Sequence, residues 1–147
     1  MNRKELFQPH NMNLLCPHSF EYLHELLGML GYSSKQYHLQ EAREKVFDTL
    51  EILFDLEILN IYDWVKKPDL NNKKIPVKKI LQEIDTLWDI NSEFDHFYDF
   101  LIFGNENWYV EQLIKLGLTH TTNWLLFVKY EIGDLENWIE ENRPRIR

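Results

Sequence analysis

A chain of 147 residues that is 44% apolar and 14% aromatic is long enough and apolar enough to form one domain around one core. Its net charge of −8 argues against binding to nucleic acid or to anionic membranes, because both need a surplus of Lys and Arg. Cys16 is the only cysteine, which excludes an internal disulfide and a thiolate zinc site. The chain shows neither a signal-peptide pattern at its N-terminus nor an apolar run of the roughly 20 residues that span a membrane. We therefore expect a cytoplasmic protein.

The chain divides into a short polar segment and a helical domain. Residues 1–13 predict a flexible leader, and residues 14–147 predict a single helical domain. A first helix, rich in leucine, is expected to end at Leu30. Gly31 follows directly, at the position where a left-handed C-cap is typical.

A second helix is predicted from its cap and its periodicity. Ser33 and Gln36 resemble a capping box for a helix that runs to about Asn60. Apolar residues follow helical spacing along one face of this segment. The other face is mostly acidic, with Glu41, Glu44, Asp48, Glu51 and Asp55. Residues 58–65 are apolar and aromatic, which indicates either the end of this helix or a short strand.

Residues 66–79 form the clearest predicted loop, because they combine proline and asparagine with six lysines. The lysines are typical of a solubilising surface loop. The functional alternatives are an internal counter-charge or a contact to an acidic partner. A third helix is predicted next, with Ile80, Ile84 and Trp88 on its apolar face.

The remaining chain predicts further helices. A fourth begins at a cap on Asn91 or Ser92, carries an aromatic stripe, and ends at Gly104. A fifth covers about residues 106–116 and stops at Gly117.

Thr121, Thr122 and Asn123 offer caps for a sixth helix, and the Asp134 carboxylate caps the last one, which Pro144 ends. The pattern as a whole predicts an all-α fold. We expect a compact single-domain bundle of about six helices, with room for one short strand pair near residues 58–65.

The most distinctive feature is an acidic block between Ile80 and Ile114. It contains eight carboxylates and no Lys or Arg. Such a block is either a solvated helix face or a negative surface that attracts a basic partner. The residues predicted to contact a partner are Glu83, Asp85, Asp89, Asp95, Asp99, Glu106, Trp108 and Tyr109. The carboxylates would pair with basic side chains, and the two aromatics, at a loop-to-helix junction, would anchor the contact.

No complete catalytic motif is present, and we predict neither catalytic residues nor a cofactor. The nearest approach to a metal site is His96 between Asp95 and Asp99, which share one helix face. No second pair of ligands is evident, so the sequence favours a solvated surface there and no bound metal.

Residues 123–144, NWLLFVKYEIGDLENWIEENRP, and the small, acidic, helical character of the chain resemble immunity proteins of contact-dependent and polymorphic toxin systems, of the CDI or Maf type. The resemblance implies that the protein binds the C-terminal domain of a cognate toxin, typically a basic nuclease, and blocks it. A homodimer is also possible on this evidence from the sequence. Two alternatives are an acidic phage-type inhibitor or nucleic-acid mimic, and a small enzyme or regulatory subunit with an unrecognised site.

Overall fold

The structure is a computed structural model that describes residues 1–88 and 100–144. Over these ranges the fold is mostly helical, with one small antiparallel sheet, so the predicted fold class is confirmed. The α-helices are α1 Arg3–Leu6, α2 Leu23–Met29, α3 Gln40–Asp55, α4 Val77–Leu87, α5 Asn107–Lys115, α6 Trp124–Phe127 and α7 Leu135–Asn142. The strands are β1 Leu59–Asp63 and β2 Ile102–Asn105. Short 3-10 turns cover Pro9–Leu15, Ser34–Gln36 and Pro68–Leu70, and a π-helical turn, Val128–Ile132, continues α6.

Helix α3 lies at the centre of the fold and contacts α2, α4 and β1. Its buried positions recur every three or four residues, so they form one continuous face. They are Ala42, Val46, Thr49, Leu50, Leu53 and Phe54. The one polar member, Thr49, is accommodated because its hydroxyl donates to the backbone carbonyl of Lys45 at 2.7 Å.

Local signals place several element ends correctly. Gly31, Gly117 and Gly133 all have positive φ, which a side chain would resist, and each follows a helical segment. The Asp134 carboxylate accepts a hydrogen bond from the backbone N–H of Asn137 at 3.1 Å, as predicted for the cap of the last helix.

The second predicted helix is too long at both ends. Its C-terminus is Asp55, because Glu57 adopts a positive φ and turns the chain into β1. Its expected start serves a different element: the Ser33 N–H donates to the Gln36 side chain at 2.8 Å within a separate 3-10 turn. Of the two alternatives for residues 58–65, the short strand is the one that forms.

The N-terminal segment, which the sequence analysis expects to be a flexible leader, contacts the core of the fold. Leu6 in α1 is completely buried, and Arg3 donates to the carboxylate of Glu136 on α7 at 2.7 Å. The segment reads as polar because its few apolar residues are scattered along it. They reach the core because α1 and the following 3-10 turn place them on one side.

The fourth predicted helix is wrong at its C-terminal end, where Ile102–Asn105 form β2. Its earlier part falls in residues 89–99, outside the described residues. Gly104 does not end a helix. It lies in β2, where the absence of a side chain allows close approach to Asn60 on β1. A Cβ at that position would lie 2.8 Å from Oδ1 of Asn60 on β1, far inside contact distance.

The register of the sheet contains a bulge. Ile61 pairs with Phe103, and Asp63 pairs with Ile102, so Tyr62 is an extra residue on β1. Tyr62 is 76% exposed. The bulge therefore turns a large aromatic side chain towards solvent at the edge of the sheet.

Replacing Leu6 with alanine should lower the free energy of unfolding by about 2–5 kcal/mol, because it leaves a cavity at a fully buried position. Urea denaturation measures the change. The matched control is Lys4→Ala in the same helix, which removes an exposed side chain and should change stability by less than about 0.5 kcal/mol. Equal stability of the two variants would mean that the N-terminal segment does not pack stably against the core.

Candidate functional site

Of the eight residues predicted to contact a partner, Asp89, Asp95 and Asp99 lie outside the described residues, as does His96. The other five are described, and they occupy different environments. Glu106 and Trp108 both line a cleft beside the sheet.

Glu83 is neutralised within the protein. Its carboxylate accepts hydrogen bonds from Lys67 and from Lys79, the latter at 2.8 Å, and its side chain is only 13% exposed. These hydrogen bonds lower the pKa of Glu83 below its ordinary value. Two lysines of the predicted loop therefore act as an internal counter-charge, and Glu83 presents little free charge to a partner.

Asp85 is also paired, with Arg43 on α3. The Arg43 guanidinium additionally donates to the backbone carbonyl of Trp88 at 2.6 Å and lies over the rings of Phe47 and Trp88. It therefore satisfies carbonyl groups at the end of α4 and joins that helix to α3. The Asp85 side chain remains 62% exposed, so it combines a structural ion pair with surface access.

Tyr109, which the sequence analysis places among the contact residues, lies in the core. Its side chain is completely buried, and its hydroxyl donates to the backbone carbonyl of Leu15 at 2.6 Å. Burial raises the pKa of this hydroxyl well above its ordinary value, so it remains a donor. Trp108 differs: it is half-buried, and its indole N–H donates to the carbonyl of Glu57 at 2.6 Å.

Replacing Tyr109 with phenylalanine should lower the free energy of unfolding by about 1–3 kcal/mol, because the Leu15 carbonyl loses its partner in the core. Tyr130→Phe provides the matched control, since Tyr130 is 71% exposed. Thermal or urea unfolding should show no change for the control. If Tyr109→Phe left stability unchanged, the buried hydrogen bond would not support the N-terminal segment.

The strongest acidic surface lies on α3. After Gln40, every exposed position of this helix is a carboxylate. We call this row the acidic ridge; it consists of Glu41, Glu44, Asp48, Glu51 and Asp55. At 1.5 Å per residue the row extends over about 21 Å. Asp48 lies 3.4 Å from the N-terminal ammonium group, and the other four form no salt bridge within residues 1–88 and 100–144.

Sequence reasoning recognised the ridge as the outer face of a helix but did not select it as a site. Its signal was available, because acids recur every three or four residues over four turns. The block at residues 80–114 drew attention through its lack of nearby bases. That lack is a property of the window, since Arg43, Lys67 and Lys79 reach into it from outside.

A cleft of about 700 Å³ opens beside the sheet. One side follows four consecutive residues of β1, from Leu59 to Tyr62, and another follows the loop at residues 70–77. Glu57, Glu106 and Trp108 also line it. The cleft therefore combines strand and loop residues with two carboxylates and one half-buried indole ring.

The two carboxylates of the cleft differ in their partners. Glu57 accepts from the Arg143 guanidinium at 3.0 Å, whereas Glu106 forms no ion pair with any residue that the structure describes. Burial raises the pKa of Glu106; a hydrogen bond with Asn60 lowers it, and the charge of Glu57 raises it further. The net effect is an increase. Glu106 is therefore a partly desolvated acid without a cation.

Replacing Glu106 with glutamine should raise the free energy of unfolding at about pH 7. A raised pKa means that the folded state holds the proton more tightly, so stability falls as the pH rises above the ordinary glutamate pKa of about 4.3. The gain should disappear below about pH 4, where wild-type Glu106 is itself protonated. Glu111→Gln, at an exposed position of α5, is the control. A loss of stability at neutral pH in Glu106→Gln would contradict this account.

A separate apolar patch lies at the C-terminal end of α5 and on α6 and the π-helical turn. Its exposed members are Ile114, Leu116, Leu125, Leu126 and Tyr130. A shallow groove of about 470 Å³ is lined by three of these residues, Leu116, Leu126 and Tyr130, and also by Thr122 and Glu131. Exposed apolar groups that occur together in this way are typical of protein contact surfaces.

Within residues 1–88 and 100–144, no group of three or more His, Cys, Asp or Glu side chains is arranged to hold a metal ion. In the same part of the chain, no helix combines the length and the apolar character needed to cross a membrane. Comparisons with protein-family models, curated proteins and solved structures found no match to this chain.

Proposed function

We propose that this protein acts by stoichiometric binding to a basic protein, and that it is an immunity protein that neutralises a cognate nuclease toxin in the cytoplasm. The observation that carries the proposal is the acidic ridge. It concentrates five carboxylates on one helix, and four of them form no salt bridge in the described part of the chain. The resemblance of residues 123–144 to immunity proteins supplies the more specific partner.

The ridge supports this function through its electrostatic field. Exposed charges of one sign steer an oppositely charged protein and raise the association rate towards 10⁸–10⁹ M⁻¹s⁻¹ at low salt. The reach of the field is about 8 Å at physiological ionic strength, so the effect falls as salt is added. A basic nuclease carries a complementary surface, because it must itself bind phosphates. Covering that surface would block the nuclease without any catalytic step by the inhibitor.

The apolar patch supports a stable complex. Charge pairs at an exposed surface contribute little to the free energy of binding, typically about 0–1 kcal/mol each. Burial of aromatic and aliphatic side chains contributes more and mainly slows dissociation. Tyr130, 71% exposed beside Leu126, offers an anchor of this kind.

The regular spacing of the ridge also favours one alternative, a nucleic-acid mimic. Carboxylates three or four residues apart rise about 5 Å along the helix from one to the next, which gives a repeating row of negative charges. Such a row would also engage proteins that normally bind nucleic acid. The two functions differ in their partner: a secreted toxin in the first, and a nucleic-acid-binding protein of the host cell in the second.

Capture from extracts of the native host tests the proposal. The ridge variant carries Glu41→Gln, Glu44→Gln, Glu51→Gln and Asp55→Asn, and it spares Asp48 because that residue contacts the N-terminus. The control variant neutralises four exposed acids elsewhere: Glu21, Asp69, Glu111 and Glu141. Each variant changes the net charge from −8 to −4, so the two differ only in where the charge is lost.

Wild type and the control variant should retain a basic protein that mass spectrometry identifies, and the ridge variant should lose it. With the purified partner, the ridge variant should associate at least about tenfold more slowly at low salt, and its rate should depend less on salt. A toxin domain whose growth inhibition is relieved by wild type but not by the ridge variant establishes the immunity function. An unchanged rate and salt dependence in the ridge variant, or an acidic partner, would overturn the proposal.

A further inference from the structure

Strand β1 has one edge that forms no backbone hydrogen bond within the described residues. Two hydrogen bonds show which backbone groups face the neighbouring strand and which face away from it. The N–H of Glu106 donates across the pair to the carbonyl of Ile58. The N–H of Phe103 points away from β1 and donates to the carbonyl of Glu21 at 2.7 Å. Backbone groups in an antiparallel pair alternate between facing the neighbour and facing away. Since Ile61 pairs with Phe103, Ile61 faces away from β2, and so does Leu59 two residues earlier. Within the described residues, no hydrogen bond to the N–H or C=O of either residue is found on that side.

The two edges of the sheet are therefore different. The outer edge of β2 is covered, because the Phe103 amide is bonded to the chain at Glu21. The outer edge of β1 lies along the cleft, which consecutive residues Leu59 to Tyr62 line. Residues 73–76, which lie outside the helices and strands of the described chain, also line this cleft.

We propose that this cleft receives an extended segment of the partner protein, which pairs with the open edge of β1 and brings a Lys or Arg side chain to Glu106. The inference rests on the proposed function for the existence of a basic protein partner. It adds the place where a peptide segment docks and the chemistry that selects it. Addition of a strand to an exposed edge is a recurrent mode of peptide recognition, in which the backbone supplies affinity and side-chain pockets supply specificity.

The requirement for a cation follows from the state of Glu106. This carboxylate is half-buried, has no cation within the described chain, and lies close enough to Glu57 to feel its charge. An incoming ammonium or guanidinium group would neutralise a charge that the free protein holds at a cost. The half-exposed ring of Trp108 lines the same cleft and offers an apolar surface to the side chain that carries the cation.

Two lysines of the loop that lines the cleft limit which sequences the docked peptide segment can have. Lys73 and Lys74 are exposed and line the cleft. Side chains of an extended strand alternate between its two faces, so a cation that faces Glu106 is followed by a residue that faces elsewhere. A polar or acidic residue fits better beside the lysines than a second base. The preferred segment therefore has a single central base between uncharged residues of high strand propensity.

Synthetic peptides test this without the natural partner. The probes are seven-residue peptides of alternating Thr and Val, with a central Lys, Arg, norleucine or Glu. Binding to the full-length protein is measured by fluorescence anisotropy. The Lys and Arg peptides should bind at least about tenfold more tightly than the norleucine and Glu peptides, a difference of about 1.4 kcal/mol. Glu106→Gln should remove this preference, and the exposed control Glu111→Gln should keep it.

Methylation of single backbone nitrogens in the Lys peptide tests strand pairing. Binding should be lost at every second position, because alternate N–H groups face β1, and retained at the positions between. The amide signals of Leu59 and Ile61 should also become protected from hydrogen exchange when the peptide binds.

The outcomes separate this inference from the proposed function. The ridge variant should bind the peptides as wild type does. Equal binding of the Lys, norleucine and Glu peptides, or a methylation scan without a period of two, overturns the cleft proposal. Capture of a basic partner through the ridge would stand in that case. Peptide binding as expected, together with a partner whose capture is insensitive to the ridge, would support the cleft and reject the role of the ridge.

Discussion

The division of α3 into a buried face and an acidic face is the constraint on which the rest of the structure depends. The buried face contacts α2, α4 and β1, so the orientation of this one helix determines where those elements lie. The opposite face must then point to solvent, and that is where the acidic ridge is found. The core and the proposed contact surface are thus two sides of the same sixteen residues.

Arg43 shows how the helix also organises the charges around it. It lies between the two faces of α3, where its guanidinium reaches the last carbonyls of α4 and the carboxylate of Asp85. The rings of Phe47 and Trp88, over which it lies, limit its freedom and shield it from water. Because this base and the lysines at Glu83 are committed to structural ion pairs, they do not compensate the charge of the ridge. The net charge is therefore distributed unevenly, with pairing near α4 and excess on α3.

Features set by neighbours in sequence could be predicted, and features set by distant contacts could not. The glycines after α2 and α5 and the Asp134 cap act within one helical turn, so their signals are visible in the chain itself. Strand β2 exists because β1 lies beside it, and its own few residues resemble the end of an aromatic helix. The N-terminal segment is held by groups more than ninety residues away, including the Trp124 indole that donates to the Met12 carbonyl at 2.9 Å. The ion pairs of Glu83 and Asp85 could not be predicted for the same reason, because Lys67 and Arg43 are remote from them in sequence.

The acidic ridge carries an energetic cost that the fold does not require. Like charges three or four residues apart destabilise a helix by about 0.2–0.5 kcal/mol per pair, and the ridge contains four such successive pairs. Lys45, between Glu41 and Asp48 in sequence, offsets part of this cost, but no base lies on the exposed face itself. Replacement of any of these acids by glutamine would keep the exposed face polar and leave the buried face unchanged. A surface that burdens its own helix and contributes nothing to the core is consistent with the proposed contact to a basic protein, whose positive charge would offset this repulsion.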